Sequence, residues 1–224
     1  MKNVGAEMYR AVIFDLDGTL VDTMDSLTKA INMMRNELGY GEISREQTLL
    51  AINYGIKRFV RDCLPDDVKH DEAIFDRAYR VYCEKYEQVH LEVEKPYDDT
   101  YELLDELKKM GVKLAVISNK KDNYTVGICK KLFSSYLDEA RGQRDGAPAK
   151  PDPTVPLEIC KNLGVEPSEC LYVGDSDVDM VTARNCGFTS VGVSWGYRSK
   201  DILLENGAEY IIDSPLELLK LIEA

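Results

Sequence analysis

Asp15 and Asp17 stand two positions apart in Phe14-Asp15-Leu16-Asp17-Gly18-Thr19-Leu20. Ahead of them runs Arg10-Ala11-Val12-Ile13, whose apolar, branched residues predict a short buried strand. Ligands of open α/β sheets bind in the crevice at the carboxyl ends of strands. Two carboxylates there, beside a glycine that lets backbone approach a ligand, suit a nucleophile and an acid/base partner next to a metal. Taken alone, Asp-x-Asp-Gly also reads as a capped loop and a turn.

Three further polar signals fall at the ends of predicted strands. They are Ser118-Asn119, Lys150 in Ala149-Lys150-Pro151-Asp152-Pro153, and Gly174-Asp175-Ser176-Asp177-Val178-Asp179. Each has a structural alternative. Ser118 could cap a helix. Lys150 could be a solvated loop lysine. The acidic run could be a capped first helical turn favoured by the helix dipole. Together they supply a nucleophile, an acid/base, a hydroxyl donor, a cation and metal carboxylates, and the joint reading is chemical.

The elements that must position these groups follow from periodicity. Leu27, Ile31, Met34 and Leu38 predict a helix over 23–38, with Gly39 as its stop. Further helices are expected over 46–52, 56–63 and 71–89, with no strand between 21 and 95. Beyond that block the pattern alternates. Helices are expected over 98–110, 123–132, 154–163, 178–185 and 215–222, and strands over 112–117, 170–173, 190–193 and 210–212. Alternation of this kind predicts an α/β fold: a doubly wound (Rossmann-like), mostly parallel sheet covered on both faces. The all-helical block interrupts it as an insertion. The expected boundaries are 1–20 and 97–224 for the core and 21–96 for the insertion, with hinges at Val21-Asp22 and Pro96.

Composition narrows the partners. The 224 residues are 44% hydrophobic, enough for a sizeable core, and carry a formal net charge of −12. That charge disfavours nucleic acid, whereas a small anionic substrate needs only local positive charge. The six cysteines form no C-x-x-C pair and read as small core residues in a reducing compartment. His70 and His90, the two histidines, are too few for a histidine-based metal site and read as surface residues. Residues 1–7 have no apolar core segment and no run is long enough to span a bilayer, so the expectation is a cytoplasmic protein without a membrane partner, monomeric or homodimeric.

On these residues the chain resembles the haloacid dehalogenase-like hydrolase superfamily, on its phosphatase side. Asp15-Leu16-Asp17-Gly18-Thr19-Leu20-Val21 matches the first motif, Ile117-Ser118-Asn119 the second, Lys150-Pro151-x-Pro153 the third, and Gly174-Asp175-Ser176-x-x-Asp179 the fourth. The helical insertion is similar to the cap of the subgroup that holds phosphoglycolate phosphatases and β-phosphoglucomutases. The resemblance implies that Asp15 forms an aspartyl-phosphate and that Asp17 protonates the leaving oxygen and then activates water. It implies Mg²⁺ held by Asp15, the Asp17 carbonyl and Asp175, with Ser176 and Asp179 behind them. Asp179 would orient Lys150 or a metal-bound water. Gly18, Ser118, Asn119 and Lys150 would bind phosphate, partly through backbone N–H groups.

The presence of Asp17 argues against the dehalogenase branch, whose halide leaving group needs no second acid. Thr19 is the phosphatase-like choice where mutases often carry valine. The resemblance implies a small phosphate monoester as substrate, with 2-phosphoglycolate leading. A sugar-phosphate mutase, a pyrophosphatase or nucleotidase of the same family, and a non-catalytic regulatory protein are the alternatives. Residues 53–61, with Lys57, Arg58 and Arg61, could form a specificity loop or a solvated basic face. Tyr79, Tyr82 and Tyr86 read as packing residues. Gly142-Gln143-Arg144-Asp145-Gly146 and Trp195-Gly196-Tyr197-Arg198 also resemble stretches in proteins named phosphoglycolate phosphatases.

Overall fold

The computed structural model describes residues 9–52, 55–92 and 95–222. The expectations for residues 1–7, and for Asn53 and Tyr54 in the proposed loop, lie outside the described residues.

Among the described residues six strands form one sheet: β1 (Ala11–Phe14), β2 (Lys113–Lys121), β3 (Glu139–Gln143), β4 (Cys170–Gly174), β5 (Thr189–Val193) and β6 (Tyr210–Ile212). Their order is β3-β2-β1-β4-β5-β6, and every pairing is parallel. This is the doubly wound arrangement, with its switch point at β1, where the chain turns first to β2 and later to β4. The central strand β1 is buried at all four positions, as a strand covered on both faces must be. One apolar cluster under the sheet gathers Val12, Phe14, Leu114, Val116, Leu171 and Val173 with Leu104 and Leu107 of helix α5 (Thr100–Lys109). A second, on the other face, gathers Ile13, Ala115, Tyr172 and Ile159.

Among the described residues between β1 and α5 lie four helices: α1 (Met24–Glu37), α2 (Arg45–Ala51), α3 (Ile56–Asp62) and α4 (Glu72–Val89). Among the described residues of 22–95 none forms a strand. Each of these helices starts or packs for a readable reason. Ser44 and Gln47 close a capping box on α2, and Asp71 caps α4 through the N–H groups of Ala73 and Ile74. Along α4, Phe75, Ala78, Tyr82, Tyr86 and Val89 form a buried stripe at helical spacing. It packs on Leu27, Ile31 and Met34 of α1 to make an apolar cluster of its own. Each such large side chain contributes about 1.5–3 kcal/mol on burial. The insertion leaves the sheet and returns to it through a narrow neck, where the Tyr97 N–H donates to the Leu20 carbonyl at 3.0 Å.

The remaining helices are α6 (Asp122–Phe133), α7 (Thr154–Leu163), α8 (Asp177–Cys186), α9 (Lys200–Glu205) and α10 (Leu218–Ile222). Three departures from the sequence-based expectations matter. Strand β2 runs four residues past the expected Ile117, because it continues along β3 through an irregular register to Lys121. Strand β3, Glu-Ala-Arg-Gly-Gln, has no counterpart among the expected strands: it is a half-buried edge strand without apolar alternation. His90 is half-buried, its ring 4.9 Å from that of Tyr124, and only His70 is exposed. The six cysteines are free thiols, five of them buried. No helix among the described residues is long and apolar enough to cross a membrane.

Candidate active site

Asp15 follows the last residue of β1, and its N–H still pairs with the Val173 carbonyl of β4 at 2.9 Å. The chain then turns tightly. The N–H groups of Leu20 and Val21 donate to the Leu16 carbonyl, and the Gly18 N–H donates to the Val21 carbonyl at 2.8 Å. Gly18 has φ +85°, and a Cβ there would lie 2.4 Å from Asp175 Oδ2. Only glycine fits both demands. Its amide is engaged inside the turn, so what Gly18 supplies is the close approach of Asp175 rather than a donor to phosphate.

Lys150 joins three elements. Its Nζ donates to Asp15 Oδ1 at 2.8 Å, to Asp179 Oδ1 at 2.7 Å and to the Ile117 carbonyl at 3.2 Å. The side chain is 4% exposed, which removes the solvated-loop alternative. Asn119 pins the Lys150 backbone from both sides: its Oδ1 accepts from the Lys150 N–H at 2.8 Å and its Nδ2 donates to the Lys150 carbonyl at 3.1 Å. The Asn119 amide is thus committed to the loop. Ser118 sits inside β2, 95% buried, and caps no helix; its hydroxyl lines the cleft and accepts from the Lys120 N–H at 3.2 Å.

For Ser176 and Asp179 the capping alternative also holds. Ser176 is the N-cap of α8, and Asp179 Oδ2 accepts from the Ser176 N–H and hydroxyl at 3.1 and 2.6 Å. With its other oxygen on Lys150, Asp179 orients the lysine. Asp175 is fully buried; it accepts from Thr19 Oγ1 at 3.1 Å and from the Tyr197 N–H at 2.8 Å.

Asp17 has partners that periodicity did not single out. Lys120 Nζ reaches both its oxygens, at 2.7 and 2.8 Å, and the Thr23 hydroxyl donates to Oδ1. Lys120 lies 5.3 Å over the Tyr86 ring of α4, a cation–π contact that joins sheet to insertion. One signal could have found Lys120. Side chains alternate along a strand, so a β2 extended to Lys121 puts Lys120 on the face of Ser118.

Oxygens of Asp15, Asp175 and Asp179 all lie within 4.8 Å of one another. Burial pushes the Asp15 carboxyl up to about 7, against the pull of Lys150, with Asp179 and Asp17 adding to the rise. Burial, then the nearby Asp179 and Asp15, raises Asp175 well above the usual carboxylate range. Lys150 is held charged: burial opposes this, but Asp15 and Asp179 prevail and raise it. Clustered carboxylates that repel one another, with all-oxygen donors, fit a hard divalent cation. Asp15 and Asp175 fit as ligands better than Asp179, which has one oxygen on the Lys150 ammonium and the other on two Ser176 donors, whereas each Asp175 oxygen meets one neutral donor.

Asp15, Asp17, Ser118, Lys120 and Lys150 form one wall of a cleft of about 610 Å³ that opens to solvent, with Asp175 and Asp179 buried behind it. The facing wall is apolar: Leu27, Ile52, Ile56, Phe59, Tyr82 and Tyr86. Tyr82 and Tyr86 are packing residues that also line the cleft. Arg58 and Arg61 turn away from it, to Asp62 and Glu72. Lys121, at the cleft's edge, lies 3.3 Å from Cys83 Sγ.

A doubly wound sheet with an aspartate nucleophile candidate, a second acid and a buried lysine at its switch point defines a class, the aspartate-based hydrolases. The chain belongs to the haloacid dehalogenase-like hydrolase family, whose model matches residues 12–193. It is similar to a phosphoglycolate phosphatase of Nitrosospira multiformis, with 32% identity over 217 residues covering 96% of each chain. A Clostridium perfringens protein named as a candidate pyrophosphatase is 31% identical, covering 96% of this chain and 98% of that one. A crystal structure from Lactobacillus delbrueckii subsp. bulgaricus, described as a candidate phosphoglycolate phosphatase, superposes with a TM-score of 0.87 at 30% identity, covering 96% of this chain and 98% of that one. The chain is a hydrolase of this family, on its phosphatase side.

Proposed function

We propose that this protein is a Mg²⁺-dependent phosphatase of small phosphate monoesters, with 2-phosphoglycolate the leading substrate, and that residues 21–96 act as its cap. The observation that carries the reading is the buried Asp15–Lys150–Asp179 cluster with Asp17 beside it at the cleft. The named relatives support the substrate.

Asp15 attacks phosphorus and the bond to the leaving oxygen breaks, leaving an aspartyl-phosphate. Lys150, fixed by Asp179 and by Asn119, offsets charge on Asp15 and the transferring group. Asp17 delivers a proton to the leaving oxygen and later takes one from the water that cleaves the intermediate. Thr23 and Lys120 aim it. The Ser118 hydroxyl donates to a phosphoryl oxygen. Asp15, Asp175 and the Asp17 carbonyl would hold Mg²⁺, which supplies charge neutralisation of the phosphoryl oxygens. The apolar cap wall excludes water while the phosphoryl group moves.

The test is phosphate release from a panel containing 2-phosphoglycolate, sugar phosphates, nucleotides and pyrophosphate, with and without Mg²⁺. Mg²⁺-dependent release from a monoester, lost in Asp15→Asn, is the expected result. Isomerisation of a 1-phosphosugar in the presence of the bisphosphate, without phosphate release, would move the assignment to a mutase.

A further inference from the structure

The loop between β5 and α9 touches four parts of the molecule at once. Trp195 Nε1 donates to the Thr19 carbonyl in the nucleophile turn at 3.1 Å. Gly196 presses on the metal carboxylate, since a Cβ there would lie 2.1 Å from Asp175 Cβ and 2.7 Å from the Gly18 carbonyl oxygen. The Tyr197 N–H holds Asp175 Oδ2. Its hydroxyl accepts from the Thr23 N–H and donates to Asp22 Oδ1, both at 3.0 Å, where the chain enters the cap.

Arg198 reaches the opposite way, into the cap itself. Its Nη2 donates to the Ile52 carbonyl at 3.1 Å and its Nη1 to the Leu49 carbonyl at 3.4 Å. Nη1 also lies 3.5 Å from the Tyr197 carbonyl, which folds the side chain against its own loop. Leu49 lies in the last turn of α2 and Ile52 is its C-cap. Carbonyls at a helix C-terminus lack intrahelical donors and carry the negative end of the dipole. A guanidinium suits them, and its planar fork serves two acceptors together. Ile52 in turn walls the cleft. On the far side of the cleft the cap is tied differently, by the Tyr124 hydroxyl on the Cys83 carbonyl at 3.3 Å and Lys131 on the Leu91 carbonyl at 2.7 Å.

We propose that Arg198 is a positioning residue: its fork on the Leu49 and Ile52 carbonyls latches the cap over the cleft, and loop 195–198 ties that closed position to the placement of Asp175. The kinetic consequence rests on the phosphatase reading; the latch itself does not. Without the latch, the cap swings on its Tyr124 and Lys131 side. The competent closed fraction then falls, and apparent affinity falls with it.

The experiment compares the full-length protein with Arg198→Ala and Arg198→Lys by hydrogen exchange and by steady-state kinetics on the best monoester of the panel. In Arg198→Ala, exchange should accelerate across 45–62 while β1, β2 and β4 keep their protection. The ratio kcat/KM should fall roughly ten- to a hundredfold, about the worth of one or two charge-assisted hydrogen bonds, with kcat lower and KM higher together. Arg198→Lys keeps one carbonyl contact and should recover part of both effects. Unchanged exchange across 45–62 overturns the latch. So does a lower kcat at constant KM, which signals fewer folded molecules, or a loss of protection that spreads to the sheet. If the wild-type protein releases no phosphate from any compound, the phosphatase reading fails, and the exchange comparison still decides the latch.

Discussion

On the sheet side of the cleft, Asp17 meets Lys120 and Asp15 meets Lys150, with Asp179 and Asp175 buried behind them; on the helical side, Leu27, Ile56, Phe59 and Tyr82 present an apolar face. The first wall works against the fold. Its carboxylates are buried against their preference and need partners from β1, β2, β4 and two loops to stay in place. The second wall works for the fold, since the same side chains that line the cleft also close the cap's own core. In the proposed mechanism, chemistry is thus carried by the wall that costs stability, and enclosure by the wall that provides it.

Substitutions on the two walls should separate these roles. The largest effect falls on Asp15→Asn, which should lower turnover by more than about 10⁴-fold in a phosphate-release assay, because in the proposed mechanism Asp15 takes the phosphoryl. Retained turnover in that variant ends the covalent assignment. Asp17→Asn should slow turnover by roughly 10²–10⁴-fold, the usual worth of a general acid/base. On the other wall, Phe59→Ala should cost about 3–5 kcal/mol in denaturant unfolding, by emptying the contact with Tyr82 at 5.7 Å between ring centroids. A chemical effect larger than that loss of folded protein would break the division.

The same carboxylate also gives a pH signature. Asp15 rises from its ordinary 3.8 to about 7, so the native state binds more protons between those values. Its contribution to stability is present below the lower value and lost as pH rises through about 7. Without metal, Asp15→Asn should therefore be more stable than wild type at pH 8, by on the order of 2 kcal/mol, with the gap closing towards pH 5. Thermal melts across pH check this, and added Mg²⁺ should stabilise wild type more at pH 8 than at pH 5. The smallest effect is at the cleft's edge. Lys121→Gln should raise KM for 2-phosphoglycolate by about tenfold and leave ethyl phosphate nearly unchanged, since only the former carries a carboxylate besides its phosphate.

The two walls were also unequally legible in sequence. Asp15, Ser118 and Asp175 announce themselves because they follow the apolar runs of β1, β2 and β4, whereas Lys150, in the loop between β3 and α7, is found by its place in Lys150-Pro151-x-Pro153. Lys120 and Thr23 do not announce themselves, because the apolar run of β2 ends at Ile117, four residues before the strand does, and Thr23 resembles any residue before a helix. The Arg198 contacts depend on where α2 ends in space, which no local pattern encodes. Strand β3 was hidden because an edge strand needs no apolar side chains. The cap helices were readable from their stripes, yet which of their faces meets the cleft was not. The stripe of α4 serves the cap's core and the cleft with the same tyrosines.

The neck at Leu20 and Tyr97 has a consequence for how such molecules diversify. The ends of the insertion meet there across one hydrogen bond, so the sheet registers only a short closed bridge, whatever the length or shape of the chain beyond it. Domains inserted at sites where their ends lie close together are tolerated, and lengthening such a loop carries only a slowly growing entropic cost. The lid is therefore an exchangeable part. The carboxylates on the sheet keep their places however the inserted helices are lengthened or replaced.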